Sequence, residues 1–177
     1  MKTSHSLIIS DSRKLPQIPD NSVDLIVTSP PYPMIQMWDE LYTSMSEVLL
    51  SARVSFTSTA IFEYMHRELD KVWKECDRVL KPGSFACINI GDAVRTLGGR
   101  FQLYSNHSRI IEAFQTLCFD VLPMILWRKQ TNAPNKFMGS GMLPAGAYVT
   151  LEHEYILIFR KYGLKRNFKT EAEKLRR

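Results

Sequence analysis

The sequence predicts an α/β fold with a mostly parallel sheet, and two features of its pattern lead there. Short runs rich in Ile, Leu, Val and aromatic residues alternate with longer stretches whose apolar residues recur at every third or fourth position, an alternation that builds strand–helix–strand units. Three of the short runs are followed at once by polar clusters, in the position beyond strand carboxyl ends where parallel sheets bind ligands.

Strands are expected at residues 7–10, 23–28, 85–90, 121–127 and 154–160, each short and apolar as buried strands are. Phe62, Met65, Leu69, Val72, Trp73, Cys76 and Val79 form one stripe at helical spacing. Ser58 or Thr59 is placed to cap that helix, and Lys81-Pro82-Gly83 to stop it. A second helix fits residues 105–117, with Ile110, Ile111, Phe114 and Leu117 inward. A third fits residues 34–51, with Trp38, Leu41, Tyr42, Met45 and Leu49 on one face. No internal repeat or low-complexity segment interrupts the pattern.

A chain of 177 residues with 45% hydrophobic and 23% charged residues suits one globular domain with its own core. Cys76, Cys87 and Cys118 lie in apolar or helical patterns without a CxxC pair. They read as reduced core residues, and no metal site is expected. No apolar run approaches the roughly 20 residues that span a bilayer, and the stretch after Met1-Lys2-Thr3-Ser4-His5 is too short for a signal peptide. No membrane partner is therefore expected, and the cytoplasm of a prokaryote is the expected compartment. The net charge of +5 is localised: residues 161–177 carry seven basic against two acidic residues, and residues 1–160 balance. Such a tail is either a solvated helix end or a sequence-blind attraction for phosphate.

The most informative stretch is Thr28-Ser29-Pro30-Pro31-Tyr32, directly after the apolar run Val23 to Val27. Two prolines cannot continue a sheet, so the carbonyls around them are expected to be available to another partner. Ser29 adds an acceptor and Tyr32 a flat ring. Together they suit a planar group bearing an exocyclic NH₂. Asp11 and Ser12 follow the first expected strand, and Asn89-Ile90-Gly91-Asp92 ends the third. If the strands are parallel, all three clusters open on one rim. An ordinary turn would also use Asp11, or Asn89 with Gly91 and Asp92. His153, within a strand pattern, reads as structural, and Trp38 as core.

At these residues the chain resembles the amino-group DNA methyltransferases of the permuted type, in which the catalytic motif precedes the cofactor glycine motif. The resemblance runs through Leu7-Ile8-Ile9-Ser10-Asp11-Ser12, the Ser-Pro-Pro-Tyr motif, Arg78-Val79-Leu80-Lys81-Pro82-Gly83, Cys87-Ile88-Asn89-Ile90-Gly91-Asp92-Ala93, Trp127-Arg128-Lys129 and the segment 151–159. It implies an incomplete Rossmann-like, S-adenosylmethionine-dependent fold whose closing strands are antiparallel. It also implies double-stranded DNA as partner and S-adenosylmethionine as methyl donor. The serine-first motif is typical of enzymes that methylate the exocyclic nitrogen of cytosine. By this likeness Ser29 and Pro30 hold the amino protons of a flipped base that stacks on Tyr32, with Pro31 shaping the corner. Asp11, Ser12, Thr28, Asn89 and Asp92 are implied around the cofactor or base pocket. No Pro-Cys nucleophile is needed for this reaction.

The family's Phe-x-Gly-x-Gly loop, which seats the methionine part of the cofactor, has no good counterpart. Phe137-Met138-Gly139-Ser140-Gly141 is flanked by loop chemistry on both sides, whereas such loops lie between a strand and a helix. The expectation is therefore a catalytic half, residues 1–160, followed by a basic tail, residues 161–177. The strand of Ile26 would then have a bare edge that a complementary polypeptide or a second copy covers. Adenine methylation and a non-catalytic binding remnant are the competing readings.

Overall fold

The computed structural model describes residues 3–45, 57–129 and 151–163. In chain order the elements are β1 (Val23–Thr28), a 3₁₀ turn (Gln36–Trp38), α1 (Asp39–Met45), α2 (Ser58–Val79) and β2 (Leu80–Ile90). A hairpin of β3 (Ala93–Leu97) and β4 (Arg100–Tyr104) follows, then α3 (Asn106–Thr116), β5 (Asp120–Arg128) and β6 (His153–Arg160). The main sheet has the order β1-β2-β6-β5. β1 and β2 are parallel, and β6 is antiparallel to both its neighbours. Three strands thus run one way and the last runs against them, as the pattern and the resemblance led one to expect.

One face of this sheet carries the core. The α2 stripe buries Met65, Leu69, Trp73, Cys76 and Val79 against Ala86, Ile88 and Ile90 of β2 and Leu157 and Phe159 of β6. α3 adds Ile110, Ala113 and Phe114. Phe114 stacks flat on Phe159, with centroids 4.0 Å apart, and meets Phe119 edge to face at 5.1 Å. The opposite face begins with Leu25 and Val27 of β1, in register with Phe85 and Cys87 of β2. Leu25, Val27 and Phe85 are all exposed.

Several expectations need correction. Residues 7–10 are not a strand; Leu7 and Ile9 are 88% and 93% exposed. No strand lies beside them among the described residues, and an apolar run without a ladder partner has nothing to hold it extended. The cap of α2 is Thr57, whose hydroxyl accepts the Ala60 N–H, rather than Ser58 or Thr59. The helix ends at Val79 and the chain passes straight into β2. Pro82 is accommodated where the β1–β2 register shifts between Val23 and Leu25, the irregular position a strand proline requires. The helix expected at 34–51 begins only at Asp39, after the 3₁₀ turn; its part beyond Met45 lies outside the described residues. Cys118 is exposed, not core. The β3–β4 hairpin is not among the expected strands, although Gly98-Gly99 between alternating residues is a standard two-residue signal. Both glycines have positive φ, +57° and +76°.

The segment after residue 10 is tied down by charge. Arg13 reaches Glu68, the Leu15 N–H donates to Glu75, and Arg78 donates to the Leu15 and Ile18 carbonyls. This brings Asp11 and Ser12 to the site without a strand before them. No helix among the described residues is long and apolar enough to cross a membrane. The loop at 136–142 and the tail beyond residue 163 lie outside the described residues.

Candidate active site

The Ser-Pro-Pro-Tyr corner leaves β1 at its carboxyl end. Ser29 is exposed, Pro30 buried, and Pro31 and Tyr32 half-buried. The corner is fixed from below, since Tyr42 of α1 donates its hydroxyl to the Pro31 carbonyl at 2.7 Å. That corrects one expectation: the Pro31 carbonyl is engaged. The Pro30 carbonyl accepts no hydrogen bond from the described residues, so it and the exposed Ser29 remain the available acceptors. Met34 turns the chain with φ +66°, a cost tolerated at sites the surrounding structure over-determines.

A buried amide joins this corner to the end of β2. Asn106, the first residue of α3, donates its Nδ2 to the Pro33 carbonyl at 3.0 Å and to the Gly91 carbonyl at 2.9 Å. Its Oδ1 accepts from His66 Nε2 of α2 at 3.0 Å. These partners fix the imidazole tautomer, because Nε2 must carry the proton. Burial pulls the His66 pKa down to about 3, so the ring stays neutral.

Above this staple, Tyr32 lies against Gly91. A Cβ at Gly91 would come within 3.1 Å of the Tyr32 ring, a crowding that glycine avoids. The Tyr32 hydroxyl is 3.1 Å from Ser29 Oγ and 3.1 Å from Glu154 Oε2. Asn89 Nδ2 donates to the same hydroxyl at 2.9 Å and to Glu154 Oε2 at 2.7 Å. Lys129 holds Glu154 Oε1 at 2.8 Å, while its Nζ sits 4.5 Å over the Trp127 ring. Burial raises the Tyr32 pKa and the Glu154 charge adds to this, against the opposing Ser29 bond. For Glu154, burial pushes the carboxyl up, but Lys129, Asn89 and Tyr32 together leave it below the usual range.

Beside the corner, toward α1 and α2, lies a mostly apolar cavity of about 370 Å³, within the size range of small-molecule sites. Asp11, Ser12, Thr28, Ser29, Pro30 and Pro31 line it. Asp11 is already gripped by Arg13 through its side chain and backbone N–H, which holds its carboxyl below the usual range.

Six of the expected site residues thus share one cavity. Tyr32 and Asn89 stand in the adjoining hydroxyl–carboxylate cluster. Asp92 is elsewhere: buried, it accepts the His107 N–H at 3.1 Å and His107 Nδ1 at 2.8 Å. It replaces the side-chain cap that Ser105 does not provide for α3. His107 in turn stacks on Tyr155 at 4.0 Å, and His153 bonds the Tyr155 hydroxyl.

Sequence reading missed Glu154, Lys129, Asn106, His66 and Tyr42. The available signal was a carboxylate opening an otherwise apolar strand. Asn106 gave none, because only the packing of α3 against two loop ends assigns it.

Comparison with known proteins places this geometry. A family model described as DNA methylase matches residues 23–176. The Type II methyltransferase M.MthZI of Methanothermobacter thermautotrophicus is 53% identical over 182 residues, a match covering 100% of this chain and 50% of that protein. M.MjaI of Methanocaldococcus jannaschii, also a Type II methyltransferase, is 50% identical over 178 residues, covering 94% and 58%. The chain therefore spans about half the length of the curated relatives it matches. Among solved structures, TTHA0409 of Thermus thermophilus, complexed with S-adenosyl-L-methionine, superposes with TM-score 0.69 at 31% identity, covering 96% of this chain and 60% of that one. The cytosine-N4-specific PvuII DNA methyltransferase shares the fold, with TM-score 0.61 at 16% identity over 89% of this chain and 49% of that one. With the family model matching most of its length around the β1 corner and its cavity, this chain belongs to the DNA methylase family.

Proposed function

We propose that this chain is the catalytic half of a site-specific DNA methyltransferase of a restriction–modification system, acting in the cytoplasm. It methylates the exocyclic amino nitrogen of a flipped cytosine. The observation that carries this reading is the corner itself: an exposed Ser29 hydroxyl and a Pro30 carbonyl with no protein partner among the described residues stand beside the Tyr32 ring. Both oxygens accept from the amino group, drawing its lone pair out of conjugation, while the half-buried ring offers a face for the base. The serine-first motif favours cytosine over adenine.

S-adenosylmethionine, the ligand of the Thermus relative, supplies an electrophilic methyl carbon. The residues present fit it. The cavity beside the corner is mostly apolar and of suitable size, and Asp11, Ser12 and Thr28 line it with the polar groups such a ligand needs. Asp11, Ser12 and Thr28 would hold the cofactor, while Asn89, through its bond to the Tyr32 hydroxyl, shapes the region beside the base.

The open side of β1 supports a complementary half. Among the described residues β1 pairs only with β2, and Val27 is 72% exposed. A strand from the remainder of a longer polypeptide, a separate chain or a second copy would pair there. The basic excess of residues 161–177 adds a sequence-blind attraction for DNA phosphate in this reading.

The test is transfer of labelled methyl from S-adenosylmethionine to unmethylated DNA, followed by base analysis. N4-methylcytosine is expected; N6-methyladenine would transfer the reading to adenine. No incorporation and no cofactor binding, with or without the complementary half, would leave a binding remnant. Ser29→Ala is expected to lower methyl transfer about 10²–10³-fold while leaving cofactor affinity nearly unchanged.

A further inference from the structure

We propose that Glu154 is the final acceptor of the proton released when the amino nitrogen is methylated, reached through the hydroxyls of Ser29 and Tyr32. The inference rests on the reading above, in which the base amine is held at Ser29.

The geometry fixes the direction of the wire. An ionised carboxylate only accepts hydrogen bonds, so at Glu154 Oε2 the Tyr32 hydroxyl must be the donor. The one proton of that hydroxyl is then committed, and its oxygen accepts from Asn89 Nδ2. Between Ser29 Oγ and the Tyr32 oxygen, 3.1 Å apart, the serine must therefore donate. This leaves the Ser29 lone pairs turned toward a substrate N–H. Asn89 is held in the orientation this requires, because its Nδ2 also donates to Glu154 Oε2. Flipping that amide would set its oxygen against the carboxylate. Lys129, on the other carboxylate oxygen, keeps Glu154 ionised before transfer and favours its deprotonation afterward.

The nitrogen lone pair forms the N–CH₃ bond, and the electron pair of the breaking S–CH₃ bond stays on sulfur as a neutral thioether. The amino N–H then breaks toward Ser29 Oγ, the serine proton moves to the Tyr32 oxygen, and the tyrosine proton moves to Glu154 Oε2. One positive and one negative charge disappear together. Solvent later takes the proton from Glu154 and the two hydroxyls rotate back. Glu154 touches no substrate and acts entirely through Tyr32.

Two measurements test this. In the full chain, assembled with its complementary half if turnover needs one, Y32F and E154Q should each slow single-turnover methyl transfer about 10²–10⁴-fold. The double variant should be no slower than the slower single, because both cut one wire. The E154Q rate should climb with pH as hydroxide replaces the carboxylate, while the wild type stays flat above the Glu154 titration. Cofactor and DNA affinities should not change. Wild-type methylation with an unimpaired E154Q, or with additive losses, overturns the relay alone. A wild type that methylates no DNA removes the functional reading and the relay with it. Separately, in this chain without substrate, the Tyr32 phenol should ionise at lower pH in E154Q, read by tyrosinate absorbance and assigned by its loss in Y32F. An unmoved titration overturns the contact.

Discussion

On the helix-covered face of the sheet, Phe114 lies flat against Phe159 and tilted on Trp73 at 5.4 Å, all three fully buried. On the opposite face, Leu25 and Val27 are 55% and 72% exposed. The side chains are of similar character, and burying any one of them is worth about 1.5–3 kcal/mol. One set has realised that gain and the other has not. In an α/β sheet both faces are normally covered, so the contrast separates a face packed by α2 and α3 from one left largely open among the described residues. The candidate site sits at the boundary, with its staple on the finished side and its cavity beside the β1 edge.

The contrast is broken most severely on the finished side. Phe114→Ala should cost about 3–5 kcal/mol in denaturant unfolding, whether or not a complementary half is present. An effect that appears only with the partner would mean this face is not independently packed. The buried staple gives the next effect, which depends on pH. His66 is neutral in the fold, with its pKa near 3, but in the unfolded chain it titrates near 6.5. The unfolded state therefore binds the extra proton, and stability should fall as pH drops from about 6.5 toward 3, by a few kcal/mol. A His66→Gln variant should lose much of that slope. An unchanged slope would assign it to other groups. Smallest in isolation is Val27→Ser on the open side, within about 0.5 kcal/mol for the chain alone. The same variant should weaken assembly with a covering strand, measured by sedimentation. Destabilisation of the isolated chain would show that β1 is already covered.

Residues that needed only local physics were legible. β1 falls on the expected Val23–Thr28, α3 within one residue of its expected ends, and β5 and β6 within one residue of theirs, because apolar periodicity and turn chemistry act over a few positions. The Ser-Pro-Pro-Tyr corner was legible because proline restricts its own backbone wherever it stands. The run at 7–10 misled for the opposite reason. Its composition is that of a strand, but a strand exists only with neighbours to pair. Asp92 looked like a pocket residue from its place after β2, yet α3 folds back to claim its carboxylate.

The amino-acid order alone determined the strand–helix alternation and the rigid corner, since each follows from dihedral limits and short-range patterning. Only the tertiary structure decided that Tyr32, Asn89, Glu154 and Lys129 converge, and that one buried asparagine bonds two loop ends. Those contacts span up to 122 residues of sequence, and hydrogen bonds between such distant groups depend on sheet register and helix packing that no local pattern encodes.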